Sequence, residues 1–99
     1  MSAYVLSLLA EKDLDNIWFY IAQDSSEQAD RVVIETRKAI RRLADWPEIG
    51  HVRDDLPDPT LRVWSVFSYL IVYKPAAKPL EVVRIIHGMR DIPDLMPPP

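Results

Sequence analysis

The spacing of apolar residues changes once along this 99-residue chain, across the segment 47–60, and that change limits the possible folds more than any other feature. Before the segment, apolar residues recur every three or four positions, as on one face of a helix. After it, short runs rich in valine, isoleucine, tyrosine and tryptophan are typical of strands. The segment itself has three prolines, one glycine and four acidic residues without any period, so we predict a loop there. Helices followed by strands in one short chain indicate the α+β class.

Two helices are predicted in the first half of the chain, joined by a short polar turn at residues 24–26. Ser7 and Ser25 can each act as an N-cap, because a serine hydroxyl satisfies a free backbone N–H in the first turn of a helix. The second helix should end near Asp45, because Pro47 disfavours helical geometry in the residue before it. The apolar face of the first helix, which we expect in the core, comprises Ala10, Leu14, Ile17, Trp18 and Ile21.

Strands are predicted at residues 61–66, 69–74 and 80–87, with a shorter and less regular strand at 2–6. The connections between the last three strands are too short for a parallel crossover, so these strands should pair antiparallel. We therefore predict one domain spanning residues 1–99, with the order β-α-α-β-β-β and a helical hairpin packed on an antiparallel sheet.

The composition of the chain excludes several classes of function. There is no cysteine, which excludes disulfides and thiolate metal sites, and we expect a cytoplasmic protein. The longest apolar run is far too short to span a membrane, and the formal net charge of -3 argues against a dedicated, sequence-specific nucleic-acid binder. We expect no metal site, because the spacing of His51, Asp54 and Asp55 matches no ordinary ligand pattern. We also expect no cofactor. Residues 92–99, with four prolines, form a proline-rich tail.

Residues spaced along nearly the whole chain form an ordered set that carries a family resemblance. The set comprises Tyr4, Leu6, Ser7, Ala10, Asp13, Leu14, Ile17, residues 20–22, Ala29, Leu43, Pro47, Gly50, Leu61, Arg62, residues 69–73 and residues 85–91. In this order it resembles the RelE/ParE superfamily, the toxins of bacterial type II toxin-antitoxin pairs. The resemblance implies a compact toxin with a role in plasmid or chromosome stability. It also implies a small antitoxin whose disordered C-terminal half folds onto the toxin.

The superfamily has two main activities, and the residues of this chain favour one of them. RelE-type members cleave mRNA in the ribosomal A site, which requires cationic groups and a proton-transfer residue, whereas ParE-type members inhibit DNA gyrase. The nuclease branch has an arginine where this chain has Leu70, and a lysine-rich stretch where it has the acidic segment 54–58. It also has a tyrosine near the C-terminus, which is missing after Arg90. We therefore expect a ParE-like gyrase inhibitor that performs no chemistry and is neutralised by a ParD-like antitoxin.

Two alternatives to gyrase inhibition stay open at this point. In the first, the chain is a ribosome-dependent mRNA endoribonuclease in which Arg90 is the catalytic residue. In the second, it is a degenerate toxin that has kept only the ability to bind its antitoxin.

Three arginines are the candidates for contact with the target. Arg62 and Arg84 fall inside predicted strands, where a long cationic side chain must reach an edge or a partner, and Arg90 follows the last strand. Each of them has an alternative role in a structural ion pair with a nearby carboxylate.

Four residues of the helical hairpin are the candidates for contact with the antitoxin. Phe19 and Ile34 point away from the apolar faces of their helices, which places large apolar side chains at the surface. Arg37 and Arg41 lie along the flank of the second helix, where they could meet an acidic segment, although a solvated helix face is the alternative.

Overall fold

The computed structural model describes residues 3–88 and Met96. The helices and strands are β1 (Tyr4–Leu6), α1 (Leu8–Ala22), α2 (Ser26–Asp45), β2 (Arg62–Val66), β3 (Tyr69–Lys74) and β4 (Leu80–His87), with one short 3-10 turn at Pro47–Ile49. This order confirms the predicted β-α-α-β-β-β arrangement. Arg90 lies outside the described residues, as does the predicted tail at 92–99 apart from Met96.

The four strands form one sheet in the order β1-β4-β3-β2. The strands β2, β3 and β4 pair antiparallel, as predicted, but β1 runs parallel to β4, with Val5 opposite Glu81. The predicted sheet was wholly antiparallel, and in this respect the prediction is wrong. The prediction rested on short connections, whereas β1 and β4 are joined by both helices and two other strands, so no connection length restricts their direction.

Serine hydroxyls begin both helices, as the sequence predicts. The Oγ of Ser7 accepts the Ala10 N–H at 3.0 Å, and the Oγ of Ser25 accepts the Gln28 N–H at 3.2 Å. The second helix ends at Asp45, two residues before Pro47. Local chemistry alone therefore sets both helix starts and the end of α2.

The first core lies between the helical hairpin and the sheet. It comprises Ala10, Leu14, Ile17, Val32, Ile40, Leu43, Ile71, Tyr73, Leu80, Val82 and Ile85. Trp18, which we expected in this core, is only half-buried, and its Nε1–H donates to Asp30 Oδ1 at 2.8 Å. The indole N–H needs a hydrogen-bond partner, and α2 provides that carboxylate at the surface of the hairpin, so the ring stays at the rim.

A second core lies on the other face of the sheet and comprises Leu56, Leu61, Val63, Leu70, Val72, Val83, Ile86 and Met96. Leu56 comes from the segment 47–60 and is 6% exposed, so this loop covers the sheet rather than extending into solvent. Because both faces of the sheet are covered, β3 has four consecutive buried residues, 70–73, with no alternation of apolar and polar positions.

The phenol of Tyr73 fastens the start of this loop to the sheet. Its hydroxyl donates to the Pro47 carbonyl at 2.6 Å and accepts the Gly50 N–H at 3.0 Å. Gly50 is buried, and a Cβ there would collide with the Tyr73 ring, so only glycine fits this close approach. Burial raises the pKa of the Tyr73 phenol above its ordinary value, which keeps the hydroxyl protonated and able to donate.

The helix α1 covers the part of β4 that extends beyond β1. At a bulge in β4, the Ser7 N–H donates to the Val82 carbonyl at 2.9 Å, and the Ser7 Oγ donates to the Val83 carbonyl at 2.7 Å. Further along, the Asp13 carboxylate accepts the Ile85 N–H at 3.0 Å. The same carboxylate accepts two hydrogen bonds from the Arg84 guanidinium, at 2.7 and 2.8 Å. Side chains of α1 thus take the place of a neighbouring strand along this edge.

Substitution of Tyr73 by phenylalanine should destabilise the protein. The Tyr73→Phe variant keeps the ring but leaves the buried Gly50 N–H without its acceptor, which costs about 1–3 kcal/mol in the free energy of unfolding. Urea unfolding measures this loss. Tyr20→Phe is the matched control: Tyr20 is 71% exposed, and its change should stay within about 0.5 kcal/mol. Equal stability of the two variants would contradict the role given to Tyr73.

Substitution of Asp13 by asparagine should also destabilise the protein, because it removes the negative charge that faces Arg84. The side chains of Asp13 and Arg84 are only 13% and 14% exposed. Removal of one partner from such a pair costs about 3 kcal/mol. Asp55→Asn is the matched control, since Asp55 pairs with Arg53 at the surface and its loss should leave the unfolding midpoint in urea nearly unchanged. If Asp13→Asn unfolds at the same urea concentration as the wild type, the pair does not fasten α1 to the sheet.

Candidate functional site

A groove of about 760 Å³ lies between α1 and the end of the sheet where β3 begins and β4 ends. It is lined by Asp13, Asn16, Ile17 and Tyr20 from α1, Ser68 and Tyr69 from the β2–β3 turn and β3, and Arg84, Ile85, Ile86 and His87 from β4. The contacts of Asp13 with β4 set the position of α1, and therefore the spacing between the two walls of the groove.

Aromatic rings contribute to the lining of this groove. The rings of Tyr69 and His87 meet edge to face, with centroids 5.6 Å apart, and Tyr20 is 71% exposed. Burial, and to a lesser extent the nearby Tyr20, raises the pKa of the Tyr69 phenol above its ordinary value. The hydroxyl of Tyr69 is therefore protonated at neutral pH and can donate a hydrogen bond, but it does not supply a phenolate.

The charges in the groove largely cancel. Among the described residues, the lining has one carboxylate, Asp13, and one guanidinium, Arg84, and the two are hydrogen-bonded to each other. This hydrogen bonding raises the pKa of Arg84, so the cation persists at any physiological pH. The other described lining residues are asparagine, serine, isoleucine, tyrosine and histidine, a set that suits a protein surface better than a phosphate backbone.

The structure does not assemble the three predicted target-binding arginines into one cluster. Arg84 lies in the groove, paired with Asp13. Arg62 lies on β2, with β3 between it and β4, and its Nη1 donates to the Gly50 carbonyl at 3.0 Å and the Glu48 carbonyl at 3.2 Å. The Glu48 carboxylate is 3.2 Å from its Nη2. Arg90 lies outside the described residues. Arg62 and Arg84 thus both make the structural contacts that the sequence analysis kept as the alternative.

Of the four predicted antitoxin-binding residues, Phe19 lies on α1 and the other three lie on α2. Phe19 is 65% exposed beside Trp18, and Ile34 is 52% exposed, so both apolar side chains are at the surface as predicted. Arg37 is half-buried and donates to the Tyr4 hydroxyl at 3.1 Å, which places it beside β1. Arg41 is exposed, one turn further along α2.

The strand β1 lies at one edge of the sheet, and no strand of the described part of the chain pairs with its outer side. The Ser7 N–H points toward β4. In a strand, the backbone N–H and C=O groups of successive residues face opposite sides, so those of Tyr4 and Leu6 point away from the sheet. Val5 is 46% exposed, and it is followed by the exposed Leu8 and Leu9. This edge can accept an extended segment of another chain.

The segment 54–58 carries negative charge, in agreement with its sequence. Hydrogen bonds from Arg53 lower the pKa of the Asp55 carboxyl, and hydrogen bonds from Thr60 lower that of Asp58, so both are ionised at neutral pH. Leu70, at the position where the nuclease branch has arginine, is 9% exposed within the second core.

Along the described stretch, 3–88 with Met96, no three histidine, aspartate or glutamate side chains cluster as metal ligands do. Within that stretch, neither helix has the length and apolar character that crossing a bilayer requires.

Sequence reasoning missed the groove and the role of Asp13. The sequence analysis assigned Asp13 no structural contact, whereas its carboxylate binds Arg84 of β4, 71 residues away in sequence. The available signal was Arg84: an arginine between valine and isoleucine in a buried strand needs an anionic partner from another element.

Comparisons with known proteins agree with this fold. The family model described as "ParE toxin of type II toxin-antitoxin system, parDE" matches residues 4–92. The Toxin ParE1 of Caulobacter vibrioides is 32% identical over 92 residues, which cover 88% of this chain and 90% of that protein. A chain from a structure of the chromosomal ParDE toxin-antitoxin system of P. aeruginosa superposes with a TM-score of 0.71 at 18% identity, covering 88% of this chain and 96% of that one. The family model and the Caulobacter relative both span most of the sequence, and the chain therefore belongs to the ParE toxin family of type II toxin-antitoxin systems.

Proposed function

We propose that this ParE-type toxin acts in the bacterial cytoplasm by binding and inhibiting DNA gyrase, and that a ParD-like antitoxin neutralises it. The observation that carries the proposal is the residue at the position where the RelE branch has arginine, together with its burial. Here it is Leu70, buried between Val72 and Ile86 in the second core, where it can bind no phosphate.

The charge on the loop supports protein binding rather than RNA cleavage. RNA cleavage builds negative charge on a phosphate, so catalysis requires cations near it. The part of the loop that covers the second core instead has three carboxylates, Asp54, Asp55 and Asp58, against one cation, Arg53, which pairs with Asp55, so its net negative charge would repel a phosphate backbone. Arg90 is the remaining cation of the nuclease set, and the ribonuclease alternative depends on it.

The helical hairpin and β1 offer the antitoxin two kinds of contact. Phe19 and Ile34 give apolar anchors for an amphipathic helix, and the free edge of β1 gives backbone groups for an extended segment. Arg37 and Arg41 lie four residues apart on α2, so an acidic segment of a partner could contact both. An antitoxin segment that is both apolar and acidic fits this combination.

The target contacts Arg62, Arg84 and Arg90 are part of the proposal. Of the three, Arg84 lines the groove, and its position therefore supports the proposed role more directly than that of Arg62. The groove has the neutral, aromatic lining that is typical of protein interfaces.

A supercoiling assay tests the proposed target. Purified toxin should inhibit the supercoiling of relaxed plasmid by gyrase, and addition of the cognate antitoxin should restore it. Full gyrase activity at a large excess of toxin would contradict the proposal. Primer extension on translated mRNA separates the alternatives: cuts in the ribosomal A site identify a ribonuclease, whereas neither cuts nor growth arrest on expression identifies a degenerate toxin.

Substitution of Phe19 by aspartate should weaken antitoxin binding without unfolding the toxin. Phe19 is mostly exposed, so the fold tolerates a polar residue there, but a charge on the proposed anchor should reduce the affinity by at least about tenfold. Titration calorimetry with the purified antitoxin measures this loss. Trp46→Asp is the matched control, because Trp46 is 66% exposed but lies at the end of α2, beyond the proposed contact. Equal affinities of Phe19→Asp and the wild type would remove Phe19 from the interface.

A further inference from the structure

Phe67 has a backbone conformation that phenylalanine rarely adopts. It stands at the tip of the hairpin that joins β2 to β3, and its φ is 53°. Within residues 3–88, it is the one non-glycine residue with a positive φ. Glycine and asparagine adopt this left-handed region easily, whereas a bulky aromatic residue there is under steric strain.

Packing against the described residues does not explain the aromatic ring. The side chain of Phe67 is 56% exposed, and it is part of neither the first core nor the second. The backbone would be less strained with asparagine, and no buried contact with residues 3–88 or Met96 requires a phenyl group. A residue that is unfavourable for the fold at its position is a candidate for a role outside the fold.

The tip is held firmly in place. All five residues of β2 pair with β3, and the Gly88 N–H donates to the Ser68 carbonyl at 2.9 Å. Beside it, the ring of Tyr69 packs against His87. An aromatic side chain displayed on a fixed backbone loses little conformational entropy when it binds, which is the property of an interface anchor.

The surroundings of Phe67 indicate the chemistry of its partner. The next two residues, Ser68 and Tyr69, line the groove together with the exposed Tyr20, while Asp13 and Arg84 neutralise each other. A nucleic acid would need a cationic field there, whereas a folded protein needs an apolar pocket for the ring with polar groups around it. We propose that Phe67 is the anchor by which the toxin binds its protein target, inserting its ring into an apolar pocket of that protein. The inference rests on the proposed function, in which the target is gyrase.

Substitution of Phe67 by asparagine tests the inference, because the fold and the function should respond in opposite directions. Asparagine relieves the backbone strain, so the melting temperature of Phe67→Asn should not fall below that of the wild type. The concentration needed for half-inhibition of gyrase supercoiling should rise about 30-fold, the loss expected of an anchor worth about 2 kcal/mol. Antitoxin affinity should be unchanged. Phe67→Tyr, which keeps the aromatic ring, should retain inhibition.

The controls separate this inference from the proposed function. If wild-type toxin does not inhibit gyrase, both are overturned. If wild type and Phe67→Asn inhibit equally, the anchor is overturned and the proposed function stands. Phe67→Gly, which also fits a positive φ, provides a second variant without the ring, and it should lose inhibition to the same extent.

Discussion

The attachment of α1 to the edge of β4 determines the rest of this structure. The strand β1 pairs with β4 only from Leu80 to Val82, so the remaining edge needs other partners. Ser7 binds two successive carbonyls at the bulge, and Asp13 binds the next backbone N–H together with Arg84. Because Ser7 also caps α1, one residue joins the strand, the helix and the bulge. The width of the groove between α1 and the sheet follows from this attachment.

The two cores lie on opposite faces of the sheet. The helical hairpin covers one face of the sheet, and the loop with Leu56 covers the other together with Met96. Exposed surfaces of the described residues include the edge of β1, the outer surface of the hairpin and the aromatic residues of the groove. In the proposed mechanism the antitoxin uses the first two and the target uses the third. Phe19 and Tyr20 are consecutive on α1, so an antitoxin bound over Phe19 would lie against the rim of the groove and obstruct the target.

Local chemistry made much of this fold predictable from the sequence. Ser7, Ser25 and Pro47 mark helix ends by hydrogen bonds or sterics within a few residues, and the turn at Phe67–Ser68 follows from the short gap between two apolar runs. The family resemblance rested on spacing that the family model and the Caulobacter relative support. Exposure of Phe19 and Ile34 followed from helical periodicity alone.

Contacts between distant segments were not predictable in the same way. The parallel pairing of β1 with β4 and the pair of Asp13 with Arg84 join residues more than 70 positions apart, and no local pattern encodes them. Trp18 fits the apolar stripe of α1 but lies at the rim, because its N–H finds Asp30 on the next helix. The groove arises from these same long-range contacts, and for that reason Arg84 is the one described lining residue that the predicted site contained. The strain at Phe67 is a property of backbone angles, which the residue type alone does not reveal.

The central claim is that this toxin binds two proteins through two different surfaces, and hydrogen exchange measured by mass spectrometry tests it most directly. With gyrase bound, the account predicts slower exchange around Phe67–Tyr69 and the end of β4. With the antitoxin bound, it predicts slower exchange at Tyr4 and Leu6, whose outward N–H groups an added strand would protect. Identical protected regions in the two complexes, or no protection by gyrase, would contradict the account.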